Sequence, residues 1–306
     1  MGKMNFTAET KGYQPLLDLI EHNLYKDQGN RYRYELQQII DAQQDVFQQK
    51  NIQFRSHLGA SLLGRPCKRQ TWYSFRWAKE SKFDGRMIRL FNRGHMEETR
   101  FIAILRQAGL LVWFTDQNGG QFVFNNCDGH YGGSLDAVVR GVPGYENIPM
   151  LGEFKTHSDD SFHKLKTLGV KAAKSEHFTQ MNQYAGHYKL THMLYMAVNK
   201  NNDELYVEVV EYDQEDFDHY INVANLLVKS DKPPMRISKD PTYFMCKRCE
   251  YNDICHKNKL PQRTCRTCKN AVRMSEGKWI CLNTSNDLTK EMQYNACSEY
   301  ALLETL

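Results

Sequence analysis

The chain has 306 residues, 41% of them apolar and 25% charged, with only 8 prolines. It is long enough to bury a sizeable core and unlike a disordered tail or a collagen-like fibre. No apolar run approaches the ~18 residues that cross a bilayer, and the opening Met1-Gly2-Lys3-Met4-Asn5 lacks the apolar stretch of a secretory signal. An intracellular, cytoplasmic protein without a membrane partner is therefore expected. The net charge of +4 argues for a polyanionic partner only where it is concentrated locally.

Residues 1–60 read as a helical N-terminal region. Glutamine pairs at 37–38, 43–44 and 48–49 alternate with Ile39, Ile40, Val46 and Phe47, a spacing that fits an amphipathic packing helix. Then Leu62-Leu63-Gly64-Arg65-Pro66-Cys67-Lys68-Arg69 places a cysteine beside three basic residues. A second helical pattern covers Met87 to Gly109, with Gly109 as its C-cap. Beyond it the period becomes that of strands, at 110–114, 121–124, 133–139 and 150–155, separated by Gly, Asn and Pro turns. A helix over about Ser175 to Leu190, a hairpin of 193–198 with 205–210, and a helix from Gln214 to Lys229 follow. Interleaved strands and helices predict an α/β or α+β fold, a central mixed sheet flanked by helices. The expected domains are 1–60, a core over 61–260, and a cysteine-rich module over 261–306.

Nine cysteines in a reducing compartment point to metal sites or core thiols rather than disulfides, and seven of the nine follow Pro233-Pro234. Cys246, Cys249 and Cys255 form a compact trio. Three thiolates are one short of a Cys₄ zinc site or an iron–sulfur cluster, so a fourth ligand has to come from His256 or from afar, where Cys67 is the candidate. Cys265 and Cys268 form a CxxC knuckle, with Cys281 and Cys297 completing four thiolates in 33 residues. That set suits tetrahedral zinc in a small zinc-ribbon-like appendage. Cys127 is left as a core thiol.

The chemistry-bearing residues lie further upstream. Glu153 and Lys155 sit two apart on a strand and share a face. With Asp136 brought alongside, two carboxylates can hold Mg²⁺ or Mn²⁺ while Lys155 stabilises charge on a phosphate. On the preceding helix His95 and Glu98 are three apart, and either completes a hard-metal site. Gln180 and Tyr184, four apart on a helix, form a polar pair able to bond a phosphate.

The order Gly94-x-x-x-Glu98, Asp136, Glu153-x-Lys155, Gln180-x-x-x-Tyr184 resembles the RecB-type branch of the PD-(D/E)xK nuclease superfamily, over roughly residues 60–255. The resemblance implies a restriction-endonuclease-like core. It makes Asp136 and Glu153 metal-binding carboxylates, Lys155 the catalytic lysine, and Gln180 and Tyr184 a helix motif near DNA. The first-motif position is Glu98, where many iron–sulfur members carry histidine; His95 is one turn earlier. Leu135 stands where the family's name has proline. Members of the AddB kind, and the exonucleases of CRISPR adaptation, carry one cysteine before the core and a trio after it on a [4Fe-4S] cluster. The resemblance assigns that clasp here to Cys67, Cys246, Cys249 and Cys255.

Charge is concentrated near the C-terminal end: residues 239–278 hold ten Lys and Arg against four Asp and Glu. Lys164, Lys166, Lys171 and Lys174 form a second basic stretch, a candidate DNA contact. The resulting expectation is a metal-dependent DNA nuclease, an exonuclease on single strands or duplex ends, using Mg²⁺ or Mn²⁺ with a [4Fe-4S] cluster and Zn²⁺. It would work in recombination, repair, replication or genome processing, beside a replication or recombination protein. The alternative is a catalytically inactive nucleic-acid-binding or recruitment module with structural zinc sites.

Overall fold

The computed structural model describes residues 12–42 and 54–304, so the glutamine pairs at 43–44 and 48–49 lie outside the described residues. Helix α1 (Gln14–Asp27) carries Pro15 in its first turn and ends at Gln28, whose φ of 52° stops the ladder. Helix α2 (Asn30–Ala42), the short strand β1 (Leu58–Gly59) and α3 (Lys68–Phe75), with Cys67 at its N-cap, come next. Helix α4 (Gly85–Gln107) is capped by Asp84, which accepts from the Met87 N–H at 2.8 Å. Four short strands follow, β2 (Leu111–Trp113), β3 (Val123–Asn126), β4 (Tyr131–Ser134) and β5 (Ala137–Arg140), and then the longer β6 (Met150–His157). Helices α5 (Asp159–Ala173) and α6 (Ser175–Tyr188) lead into β7 (His192–Asn199), β8 (Leu205–Glu211) and α7 (Gln214–Lys229). The remainder comprises α8 (Phe244–Lys247), α9 (Asn252–Lys257), the hairpin of β9 (Ala271–Arg273) and β10 (Trp279–Cys281), and α10 (Lys290–Asn295). Among the described residues no helix is long and apolar enough to cross a membrane.

The chain divides into two compact units, one of residues 1–48, 84–122 and 134–214, the other of 49–83, 123–133 and 215–306. The first is built on a mixed sheet of order β2-β5-β6-β7-β8, in which only β6 and β7 run parallel. Leu16, Ile20 and Ile39 of α1 and α2, with Phe101 and Leu105 of α4, bury against Val139, Met150, Phe154, Leu194 and Met196 of the sheet. Phe101 and Phe154 stack with ring centres 5.2 Å apart, and burying each such ring contributes about 1.5–3 kcal/mol. Helices α5 and α6 pack on β6, β7 and β8. Helix α5 was not anticipated from the sequence. Its ladder breaks at Gly169, φ 75°, where the Val170 N–H turns to Glu208 at 2.8 Å.

The strand expected over 133–139 is two strands. Leu135 and Asp136 separate β4 from β5, and the Asp136 carboxylate accepts from the Phe154 N–H at 2.9 Å. This break fixes an acid at the end of β5.

In the second unit β1, β4 and β3 form a sheet with β1 and β4 parallel. Residues 261–304 pack in this same unit through Arg266, which is 1% exposed. Its guanidinium donates to Gln293 Oε1 at 2.8 Å, the Phe75 carbonyl at 3.1 Å and the Ser56 carbonyl at 2.7 Å. It lies 4.1 Å from the centre of the Trp77 ring and 4.9 Å from that of Trp279. A buried cation is tolerable only with its donors satisfied, and aromatic faces add to this.

Candidate active site

Strand β6 alternates, so Phe154 faces the α4 core while Glu153, Lys155 and His157 share the opposite face. Its antiparallel partner β5 pairs Ala137 with Gly152, which sets Asp136 beside Glu153, one residue beyond that pair. Glu153 is completely buried and ion-paired to Lys155. Neither Glu153 oxygen has a hydrogen bond of normal geometry.

Glu98 of α4 completes the group. Its carboxyl is pushed up to about 8, by burial first and then by the negative charge of Asp136, with Lys155 opposing. Glu153 is likewise raised, by burial more than Lys155 can offset. For Lys155 burial works against the ammonium, yet Glu153 and Asp136 outweigh it and hold the group charged well above the usual lysine range. Three carboxylates therefore share one lysine. Glu98 and Lys155 line a cleft of about 320 Å³, together with Glu97, His157, Lys174 and His177.

His95 is more than half exposed, with Nδ1 3.9 Å from Glu98 Oε1, and is not among the cleft-lining residues. Gln180 donates to the buried Tyr184 hydroxyl at 3.3 Å, and neither lines the cleft. Of the four lysines, Lys166 is paired with Glu204 and Lys171 with Asp213. Lys164 is exposed, and Lys174 reaches the cleft.

Sequence reasoning missed a hydrogen-bonded chain on the same face. Lys174 Nζ donates to Ser161 Oγ at 2.5 Å, Ser161 Oγ lies 3.1 Å from His157 Nδ1, and His157 Nε2 lies 2.8 Å from the Tyr195 hydroxyl. The same hydroxyl lies 2.9 Å from His177 Nδ1. Lys174 can only donate; the directions of the other three bonds are set together by the two imidazole tautomers, and one set that satisfies them all has Ser161 donating to His157, His157 Nε2–H to Tyr195, and Tyr195 to His177. Burial, followed by the nearby lysines, lowers His157 to about 4; burial, followed by Lys155, lowers His177 to about 3. Both imidazoles are neutral at physiological pH. The signal for His157 was present, since Glu153-x-Lys155-x-His157 continues the same period of two.

In the second unit Cys67 is brought to the trio of α8 and α9. The Cys246 thiol is raised by burial first and then by Cys67 and Cys255, and Cys67 and Cys255 also act on Cys249. Cys127 is buried, and its thiol is pushed up to about 11, by burial first and then by Asp128. Among the described residues no group of three or more His, Cys, Asp or Glu is arranged, as it stands, to hold a metal ion.

No family model matches the chain, and no curated protein matches it in sequence. Solved structures do match it in fold. SSO0001 is 14% identical with a TM-score of 0.39, over 73% of this chain and 95% of that one. The alkaline exonuclease LHK-Exo from Laribacter hongkongensis is 12% identical with a TM-score of 0.39, over 56% of this chain and 86% of that one. Its complex with dAMP gives 11% and 0.38 over the same shares. The likeness is coarse and concerns the fold.

Proposed function

We propose that the protein is a metal-dependent phosphodiesterase acting on DNA, trimming single strands or duplex ends. The observation that carries this reading is the gathering of Glu98, Asp136 and Glu153 around Lys155, three carboxylates with one ammonium between them and Glu153 completely buried. One ammonium cannot balance three clustered carboxylates, and a hard divalent cation with oxygen preference relieves the remaining repulsion. Glu98, Asp136 and Glu153 are the residues that would hold Mg²⁺ or Mn²⁺. When bound, the ion supplies an activated water and polarises a phosphate.

The remaining work falls to the chain's own groups. Lys155 is held charged by its acidic neighbours, so it serves as a fixed donor to a phosphate oxygen and not as a base. Glu153 keeps it in place. Lys174 and the exposed Lys164 supply positive charge for the backbone of a strand. In the other unit, Cys67, Cys246, Cys249 and Cys255 would hold a [4Fe-4S] cluster as a structural clasp; the nearness of Cys67 and Cys255 to Cys246 and Cys249 supports this assignment.

End-labelled single- and double-stranded DNA, incubated with and without Mn²⁺, tests the reading. Asp136→Ala and Lys155→Ala should each abolish Mn²⁺-dependent cleavage while leaving the folded content by circular dichroism intact. Cleavage at the unaltered rate in either variant would overturn it.

A further inference from the structure

The last four cysteines are spread along 33 residues, but the fold assembles them at one place. Cys265 opens a short turn that Cys268 closes, its N–H donating to the Cys265 carbonyl at 3.0 Å. Cys281 ends β10, and the hairpin register sets it opposite Ala271, three residues past Cys268. The chain end then returns to the knuckle. Cys268 bridges Leu302, the Lys269 N–H donates to the Ala301 carbonyl at 2.9 Å, and the Leu303 N–H to that of Thr267 at 2.9 Å. Cys297 comes with it. All four cysteines line a single hollow of about 20 Å³, room for one small sphere and for no organic ligand.

The sulfurs themselves carry a second signal. Burial raises the Cys265 thiol, and then Cys268, Cys297 and Cys281 raise it further, so three thiols crowd the fourth. Cys281 moves the other way. Burial opposes its charge, but the backbone N–H groups of Thr284 and Asn283 and the Thr284 hydroxyl are aimed at its sulfur and bring it below the ordinary thiol value. Donors fixed on a sulfur stabilise a thiolate.

The surrounding segment also lacks a core of its own. Between residues 261 and 304, Trp279 is the only large apolar side chain that is fully buried, while Met274, Leu282 and Met292 are exposed. Two paired strands of three residues are not independently stable, and small segments of this kind depend on a staple.

We propose that Cys265, Cys268, Cys281 and Cys297 bind one zinc ion as four thiolates, in a structural site separate from the phosphodiester chemistry. Binding draws the thiols inward onto the ion, with Zn–S bonds of about 2.3 Å. Four S–H bonds break and four Zn–S bonds form, and four protons leave to solvent; no oxidant is involved. A thiolate set selects zinc over Mg²⁺ or Ca²⁺, which need oxygen ligands.

The test uses the full chain, purified under reducing conditions from zinc-supplemented medium, with zinc and iron measured by mass spectrometry. One zinc per chain is expected to survive Cys127→Ser and to vanish in Cys268→Ser and Cys281→Ser. A serine variant can lose its fold along with its ion, so three further measurements stand beside it. Cys297→His should retain the zinc, and a thiol-directed mercurial should release it from the unaltered protein in step with four thiols. Cobalt(II) replacing the zinc should give the intense visible bands of a tetrahedral thiolate site. Zinc content unaffected by Cys268→Ser and Cys281→Ser, iron in place of zinc, or four cysteines found as two disulfides would each overturn the proposal.

Discussion

Replacing Tyr195 with phenylalanine removes one oxygen and leaves the ring in place. That oxygen lies 2.8 Å from His157 Nε2 and 2.9 Å from His177 Nδ1, at a fully buried position. The variant loses two hydrogen bonds and leaves two imidazole nitrogens without partners, each costing about 1–3 kcal/mol when buried. Removing a buried hydroxyl offsets part of this, so the expected loss is about 2–4 kcal/mol, or roughly 5–15 °C in Tm. Urea denaturation of the unaltered protein and Tyr195→Phe side by side reads the difference, with the exposed Tyr25→Phe as a control that should not move. Ser161→Ala acts on the same imidazole from its other side, so the double variant should lose less than the two single losses combined. A Tyr195→Phe midpoint within about 0.5 kcal/mol of the unaltered protein would show that the chain of bonds does not hold this face together.

Other outcomes follow from the same geometry. Arg266→Met strands three acceptors in a buried aromatic setting and should cost about 3–5 kcal/mol by chemical denaturation; Arg266→Lys should recover little of it, since an ammonium cannot span three acceptors in a plane. Retained stability in Arg266→Met would refute the role given to this side chain. Glu98 titrates near 8 and Glu153 near 7 in the metal-free protein, so a divalent cation must displace protons. Apparent Mn²⁺ affinity should rise between about pH 6 and pH 8, by up to about tenfold per unit for each proton released; calorimetry in two buffers of different ionisation enthalpy checks this, and a pH-independent affinity would contradict it. Because the folded values are raised, these two carboxyls make metal-free stability fall as pH rises from about 4.5 to about 8. His157 and His177 act in the opposite sense. Their folded values are depressed to about 4 and about 3, so their contribution is full above about pH 6.5 and is lost on acidification toward those values. Their imidazole resonances should stay those of the neutral ring down to about pH 5, and a titration near 6.5 would contradict the burial assigned to them.

Much of the first unit was legible because its elements are strongly periodic. Helix α7 has the bounds that its apolar spacing predicts, and α4 and α6 end within two residues of theirs. Asp136, Glu153 and Lys155 could be grouped because strand alternation and the order of motifs point the same way. Tyr195 could not, since it lies inside Met193–Val198, a run buried on both faces that shows no alternation. Helix α5 was hidden by its mixture of Asp, Ser and Lys around Gly169, which needs a positive φ. The division into units was not legible either. It depends on pairings such as Leu58 with Tyr131, which no local pattern encodes. Arg266 is the sharpest case, because its residue type predicts a solvated side chain and only the aromatic box built by distant segments makes it a core residue.

The interleaving of the two units has a consequence for synthesis. The chain passes between them five times, and the second unit takes its last segment from residues 215–306. While a ribosome is still making the middle of the protein, Phe75 and Trp77 have been translated without the Arg266 and Trp279 that later pack on them. Those rings must wait, exposed, for roughly the time needed to polymerise 190 residues, about 10–40 s at ordinary elongation rates. Nascent chains are thus natural clients for holding chaperones over that interval. A truncated gene ending before Arg266 should yield insoluble protein, even though it would encode all four residues of the acidic and lysine cluster.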